Sequence, residues 1–304
     1  MKRTIKKWRN QALLLVICLI IAIACKKENS GETDKSDFDR KEMLKNYAEN
    51  LIIPSFIELN QKVKVLQDAV NAFSTNTDLA NLLIVQNAWK SAYLSSQSTN
   101  GFNFGPAGED GLTKGLTEEI ATFPVNTISI LDRISSNNTS FNDFQRDIRG
   151  FLALDFLLFG IAEDNNSIVS YFSENENALN YLKAVTNHSV QSVEVVSNTW
   201  NGSYKETFIN NNGTSVGSST SLLYNEFIKS FETIKNYKIG LPIGNAPGVI
   251  VPVNPTLVEA YYSGISTQLI KEHLNSIEQL WRGTSKNGNS GIGFKAYLES
   301  VVGG

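Results

Sequence analysis

The chain has 304 residues, 41% of them hydrophobic and 19% charged, with a net charge of −3. That mixture excludes an intrinsically disordered chain and supplies apolar material for at least one sizeable core. The acidic balance excludes nucleic acid as an expected partner, which would need clustered Lys and Arg.

The first 24 residues stand apart. A basic head, "MKRTIKKWRN", precedes the apolar run "ALLLVICLIIAIA", and Cys25 follows at once. This order is that of a secretory signal peptide, and the apolar run is too short for a membrane span of about 20 residues. Ala22-Ile23-Ala24-Cys25 resembles the lipobox of bacterial lipoproteins, which implies that Cys25 is lipidated and becomes the first residue. Lys26 after the cysteine implies the outer membrane, with the body facing either the periplasm or the cell surface. Removal takes Lys2, Arg3, Lys6, Lys7 and Arg9, so 22 basic residues remain of 27 against 30 acidic ones, a balance of −8. The other cysteine, Cys18, leaves with the signal, so the mature chain carries no disulfide.

Residues 25–36 form the lipidated cysteine and a polar tether. Helical periodicity dominates thereafter. An amphipathic stretch runs from Asp37 to about Phe73, with Pro54 at a kink or break. Asp78 is placed to cap a helix on which Leu82, Val85, Trp89, Ala92 and Tyr93 recur at helical spacing. "TNGFNFGPAGEDG" is a glycine-rich loop. Helices are expected at 126–135, 141–160 and from Glu174 to Trp200, where "NGS" marks a stop. After the loop 210–220 another helix follows. "LPIGNAPGVIVPVNP" holds four prolines and is irregular. A long helix from Thr256 to Trp281 and a short one near 293–301 complete the chain. No strand set and no internal repeat appear, so the fold class is all-α. The expected organisation is an N-terminal helical bundle over 37–163 and a C-terminal one over 164–304.

"RGFLALDFLLFG", residues 149–160, is apolar on every side and belongs inside the protein. Asp155 sits in its middle with Phe151, Leu152, Leu158 and Phe159 as helical neighbours, none able to pair with it. An unpaired carboxylate there costs several kcal/mol or takes up a proton. Two readings remain open: a structural acid that caps a neighbouring element or pairs with a base, or a site acid at an interface.

These residues resemble the signature of the imelysin-like family, a Gly-x-His-x-x-Glu motif leading into "LLFG". Gly150 matches the glycine, while Leu152 stands at the histidine and Asp155 at the glutamate. "NAWKSAYLSSQSTNGFNFGPAG", which contains Trp89 and Tyr93, resembles the family's first block. "GLPIG", "YYSGIS", "LWRG" and "GIGFKAYL" resemble its C-terminal blocks in order. The resemblance implies two packed helical bundles with a site in the cleft between them, export to the envelope and a link to iron uptake. Some members have been called peptidases.

The departures bear on chemistry. A metal held by the motif would use the imidazole and the carboxylate on one helix face. Leu152 has no donor atom and Asp155 is one methylene shorter than Glu. The basic residue expected near Tyr93 and the acid expected near Asn100 are also missing. The chain has two histidines, His188 and His273, each bordering a packed helix face, and no zinc-protease, phosphate-loop or nucleophile-elbow motif.

The expectation is a non-catalytic, outer-membrane-anchored protein that binds a small ligand or an envelope protein in the cleft. No cofactor is expected, iron or zinc being unsupported by the motif. The cleft residues expected are Asp155, Leu152, Arg149, Trp89, Tyr93, Asn100 and Ser263, with Arg149 pairing with Asp155 or holding an anionic group. Ser266 is assigned to helix packing. The alternatives are a metallopeptidase-like enzyme and a structural module whose cleft is filled.

Overall fold

The computed structural model describes residues 38–108, 115–248 and 252–302. The residues expected to form the signal peptide and the tether, Cys25 among them, lie outside them, as do the ends of the glycine-rich loop and of "GVIV". Asp39–Gly303 makes up one compact unit. The described residues contain twelve α-helices, short 3-10 and π turns, and a single isolated β-bridge between Thr284 and Ser290. The all-α class is as expected. No described helix is long and apolar enough to cross a membrane.

The first helical stretch divides where the sequence puts proline. Helix α1 (Arg40–Asn46) passes through a π turn (Tyr47–Ile52) into α2 (Ile53–Thr75). Pro54 has no N–H to offer the carbonyl four residues back. The register loosens just before it, and the Ile53 N–H reaches back five residues to the Ala48 carbonyl. Helix α3 (Leu79–Ser96) begins at Asp78, whose carboxylate accepts the Asn81 N–H at 2.8 Å. The short turn between them folds α2 and α3 into a hairpin. Its core face carries Phe56, Leu59, Val63, Leu66, Val70, Leu82, Val85 and Trp89, all buried.

Helices α4 (Leu116–Ala121), α5 (Thr127–Ser135) and α6 (Gly150–Asp155) follow, the last ending in a π turn over Phe156–Gly160. The helix expected over 141–160 therefore starts only at Gly150. The segment before it is irregular because its carbonyls serve the Arg149 guanidinium: Phe141 O accepts at 2.8 Å and Asp143 O at 3.4 Å.

Helix α7 (Asn165–Glu174) begins just past the expected 163/164 boundary, capped by Asp164 on the Ser167 N–H. Helix α8 (Glu176–Thr199) packs along α2 and against α4 and α6. Helices from both sides of the expected 163/164 boundary thus share one core. At "NGS" the chain bends, with Gly202 off the helical conformation, before α9 (Lys205–Asn210).

Helix α10 (Ser219–Glu232) leads into a π turn ending at Ile239. The helix expected from Thr256 starts ten residues later: α11 covers Ser266–Arg282. Ala260 and Gly264 have φ of 53° and 68°, which no α-helix accommodates. Two N–H groups of this stretch are taken by Asp155 instead of by a helix. Helix α12 (Phe294–Val302) ends the described chain. Tyr47 joins beginning to end, donating to Leu280 O at 2.7 Å and accepting from the Phe294 N–H at 2.8 Å.

Candidate functional site

The site is built on α6. Gly150 begins that helix with φ of +74°, a value that glycine adopts without steric cost. A Cβ there would stand 2.4 Å from the Ile120 carbonyl oxygen, so glycine also lets α6 lie directly against α4. Every residue of α6 is buried. The Trp89 indole donates to Phe151 O at 3.0 Å, and the Tyr93 ring stacks on Phe151 with centroids 4.7 Å apart.

Asp155 is 1% exposed. Its Oδ2 accepts the Tyr262 N–H at 3.0 Å and its Oδ1 the Ser263 N–H at 3.1 Å. The carboxylate therefore organises the loop over 258–265, a role between the two readings left open by the sequence. Burial pushes the Asp155 carboxyl up to about 6, against the lowering effect of Ser263 and the two N–H groups, and nearby Glu259 raises it further.

Leu152 and Asp155 face a pocket of about 290 Å³, walled by Phe123, Pro124, Val125, Leu257, Val258, Tyr261 and Tyr262. One acid and two threonines, Thr127 and Thr256, interrupt an otherwise apolar and aromatic lining.

Behind Asp155 runs a buried polar chain. The Tyr93 hydroxyl donates to Glu259 Oε1 at 2.6 Å, and Glu259 Oε2 pairs with Lys238 Nζ at 2.8 Å. Both charged partners are almost wholly buried. Burial lowers the Lys238 pKa while Glu259 opposes the shift. Lys238 Nζ also donates to Gln97 Oε1 at 2.7 Å, which identifies that atom as the amide oxygen. Asn100 Nδ2 donates to the same oxygen at 3.0 Å and lies 3.3 Å from His273 Nδ1. His273 Nδ1 is then an acceptor, and its Nε2–H donates to Ser230 Oγ at 2.6 Å. Burial, then the Lys238 charge, hold His273 well below its usual pKa. In this tautomer His273 gives Ser230 a proton to share and removes none, so the pair is not an activated nucleophile. The adjoining space, near 70 Å³, is small.

Arg149 does not reach Asp155 in this arrangement. It pairs with Glu119 at 2.8 Å, and Arg146 at 2.7 Å and His188 at 3.1 Å meet the same carboxylate. Burial raises the Glu119 pKa, but the His188 hydrogen bond and the two guanidiniums outweigh it and hold the acid at about 2. The expected pairing of Arg149 with Asp155 is thus corrected: a nearer carboxylate took the cation.

Of the residues singled out in the sequence, Leu152 and Asp155 line the pocket, and Ser263 meets Asp155 through its backbone. Trp89 and Tyr93 support α6 from behind. Asn100 belongs to the His273 cluster, and Ser266 is the first residue of α11. Glu259, Lys238 and Gln97 were not anticipated. Their only sequence signal is position: Glu259 precedes "YYSGIS", Lys238 precedes "GLPIG", and Gln97 lies in the first block.

A metal at the motif would need several donors converging on one point. Leu152 offers none, and each Asp155 oxygen already holds a backbone N–H. Among the described residues no three His, Cys, Asp or Glu side chains are grouped to hold an ion. The donor set does not fit.

Comparison with known proteins agrees with the fold. The family model described as Imelysin matches residues 52–302. A crystal structure from Parabacteroides distasonis, provisionally named an iron-regulated protein A precursor, is similar with a TM-score of 0.69 and 18% identity, covering 89% of this chain and 81% of that one. No curated protein matches the chain.

Proposed function

The chain belongs to the imelysin family, and from that premise we propose that it is an exported, non-catalytic binding protein serving iron uptake. Lipidated Cys25 holds it to the outer membrane, and the pocket at Leu152 and Asp155 takes a small ligand or a segment of an envelope partner. The observation that carries the reading is the pocket's lining: room for a ligand of about 290 Å³, aromatic and aliphatic walls and one carboxylate. Such a surface binds by burial and one oriented polar contact. Metal-assisted hydrolysis would need an activated water on a metal held by several protein ligands, for which the donors are not assembled. The link to iron draws on the name of the similar structure and on family membership.

Calorimetric titration of the mature protein with iron and with zinc tests the reading. The double variant Leu152→His, Asp155→Glu is titrated beside it. No binding by the natural protein is the expected result, and binding by the double variant alone would show that the helix still presents the two motif donors one turn apart to a site that others complete. Tight binding by the natural protein that Asp155→Asn abolishes would overturn the non-metal reading.

A further inference from the structure

A second apolar opening, larger than the pocket at Asp155, lies between α10, α11 and α12. It is a groove of about 490 Å³ whose floor is aromatic. Phe227 stacks on Trp281 at 5.9 Å, and Tyr224 meets Phe294 edge-on at 5.7 Å. Its rim is open: Tyr224 is 49% exposed, Leu298 50% and Val301 53%. One helical turn beyond the floor residues, Ile228 and Phe231 also face solvent. A contiguous apolar surface of this kind on two adjacent helices marks an interaction site.

The place where the chain enters the body points to what covers it. Arg40, the first residue of α1, donates through Nε to the Asn212 carbonyl at 2.9 Å. Asn212 begins the loop that runs to Ser218. Thr214 of that loop, with Thr220 and Ser221 just after it, forms one side of the groove. Val216 at the tip of the loop is fully exposed. The body is therefore entered beside the groove. Residues 26–38, between Cys25 and Asp39, span at most about 45 Å when fully extended. An anchor at Cys25 puts this face within reach of the bilayer, where Tyr and Trp rings are favoured at the boundary between headgroup and acyl chain.

We propose that the groove between α10 and α12 is a bilayer-docking surface, which seats Tyr224, Leu298, Val301 and the Val216 loop in the membrane interface. The proposal rests on the lipid-anchor reading for its geometry. With docking, two contacts hold the body, the lipid chains and this face, and its orientation on the membrane is set.

The test uses the mature chain with Cys25→Ser, so that no lipid contributes, and vesicles of phosphatidylethanolamine and phosphatidylglycerol. The expected result is co-sedimentation with the vesicles, weakened about tenfold or more by Leu298→Asp with Val301→Asp, because a buried aspartate at the interface opposes insertion. Both positions are half exposed, and an unchanged circular dichroism spectrum checks that the variant folds. Absence of vesicle binding, or equal binding by the variant, overturns the proposal. So does a Cys25→Ser protein that is a dimer in solution and that the two aspartates dissociate, since a second copy then covers the groove. Incorporation of labelled palmitate into the natural chain is followed separately: its failure beside intact vesicle binding removes the anchor and leaves the docking surface standing.

Discussion

Asp155 is the residue on which the site depends, and its titration is measurable. Its folded pKa of about 6 lies above the ordinary 3.8, so the folded state holds a proton that the unfolded chain has released between those values. Stability attributable to this group is therefore greatest below about pH 4, declines as pH rises and reaches its full penalty above pH 6. The size is about 3 kcal/mol for a shift of this order. Asp155→Asn removes the dependence while keeping an acceptor for the loop. Urea unfolding at several pH values is expected to show the natural protein losing about 3 kcal/mol relative to the variant between pH 4 and 6.5. A constant difference across that range would contradict the burial of an ionised Asp155. Glu119 does not confuse the result. Its carboxyl is held down at about 2, so its contribution is present above the usual carboxylate range and is lost as pH falls toward 2.

At the scale of elements, the structure turns on the start of α6. Gly150 has a left-handed φ and no room for a Cβ against Ile120, two independent reasons for glycine. Gly150→Ala is expected to destabilise the protein by about 3 kcal/mol or more, read as a lower urea midpoint, because backbone rather than a mobile side chain stands in the way. Gly160, at the other end of the same segment, is equally confined: a Cβ there would lie 2.1 Å from the Tyr262 ring. The two glycines that frame "RGFLALDFLLFG" were visible as letters, but their reasons lie in residues 30 and 102 positions away. The helix from Thr256 failed for a similar cause. Leu257, Tyr261 and Ile265 have helical spacing, yet Asp155 competes for the Tyr262 and Ser263 N–H groups and holds the loop open.

Across the whole molecule, α8 lies on α2, and Tyr47 binds both Leu280 and Phe294. Cutting the chain after residue 163 would strip α2 of α8, the helix that packs along it. Residues 39–163 alone are expected to lack cooperative thermal unfolding, whereas the unit 39–303 unfolds in one transition, as circular dichroism would show. A cooperative, stable N-terminal fragment would restore the boundary that composition suggested. The 163/164 boundary falls in the polar stretch "AEDNNS", whose Asp164 caps the start of α7. Polar residues at a helix start and at a domain linker are alike in composition, and only long-range packing separates them.

From sequence alone the all-α class, the cap at Asp78, the break near Pro54 and the importance of Leu152 and Asp155 were already legible. Each follows from periodicity, local backbone chemistry or one odd residue in an apolar run, all short-range signals. The partners were not. Arg149 found Glu119, Asp155 found a loop more than a hundred residues away, and Tyr93 found Glu259 and through it Lys238. Which charge meets which is decided when helices pack, because a buried ion takes the nearest group that can replace its lost water, and sequence spacing does not carry that distance.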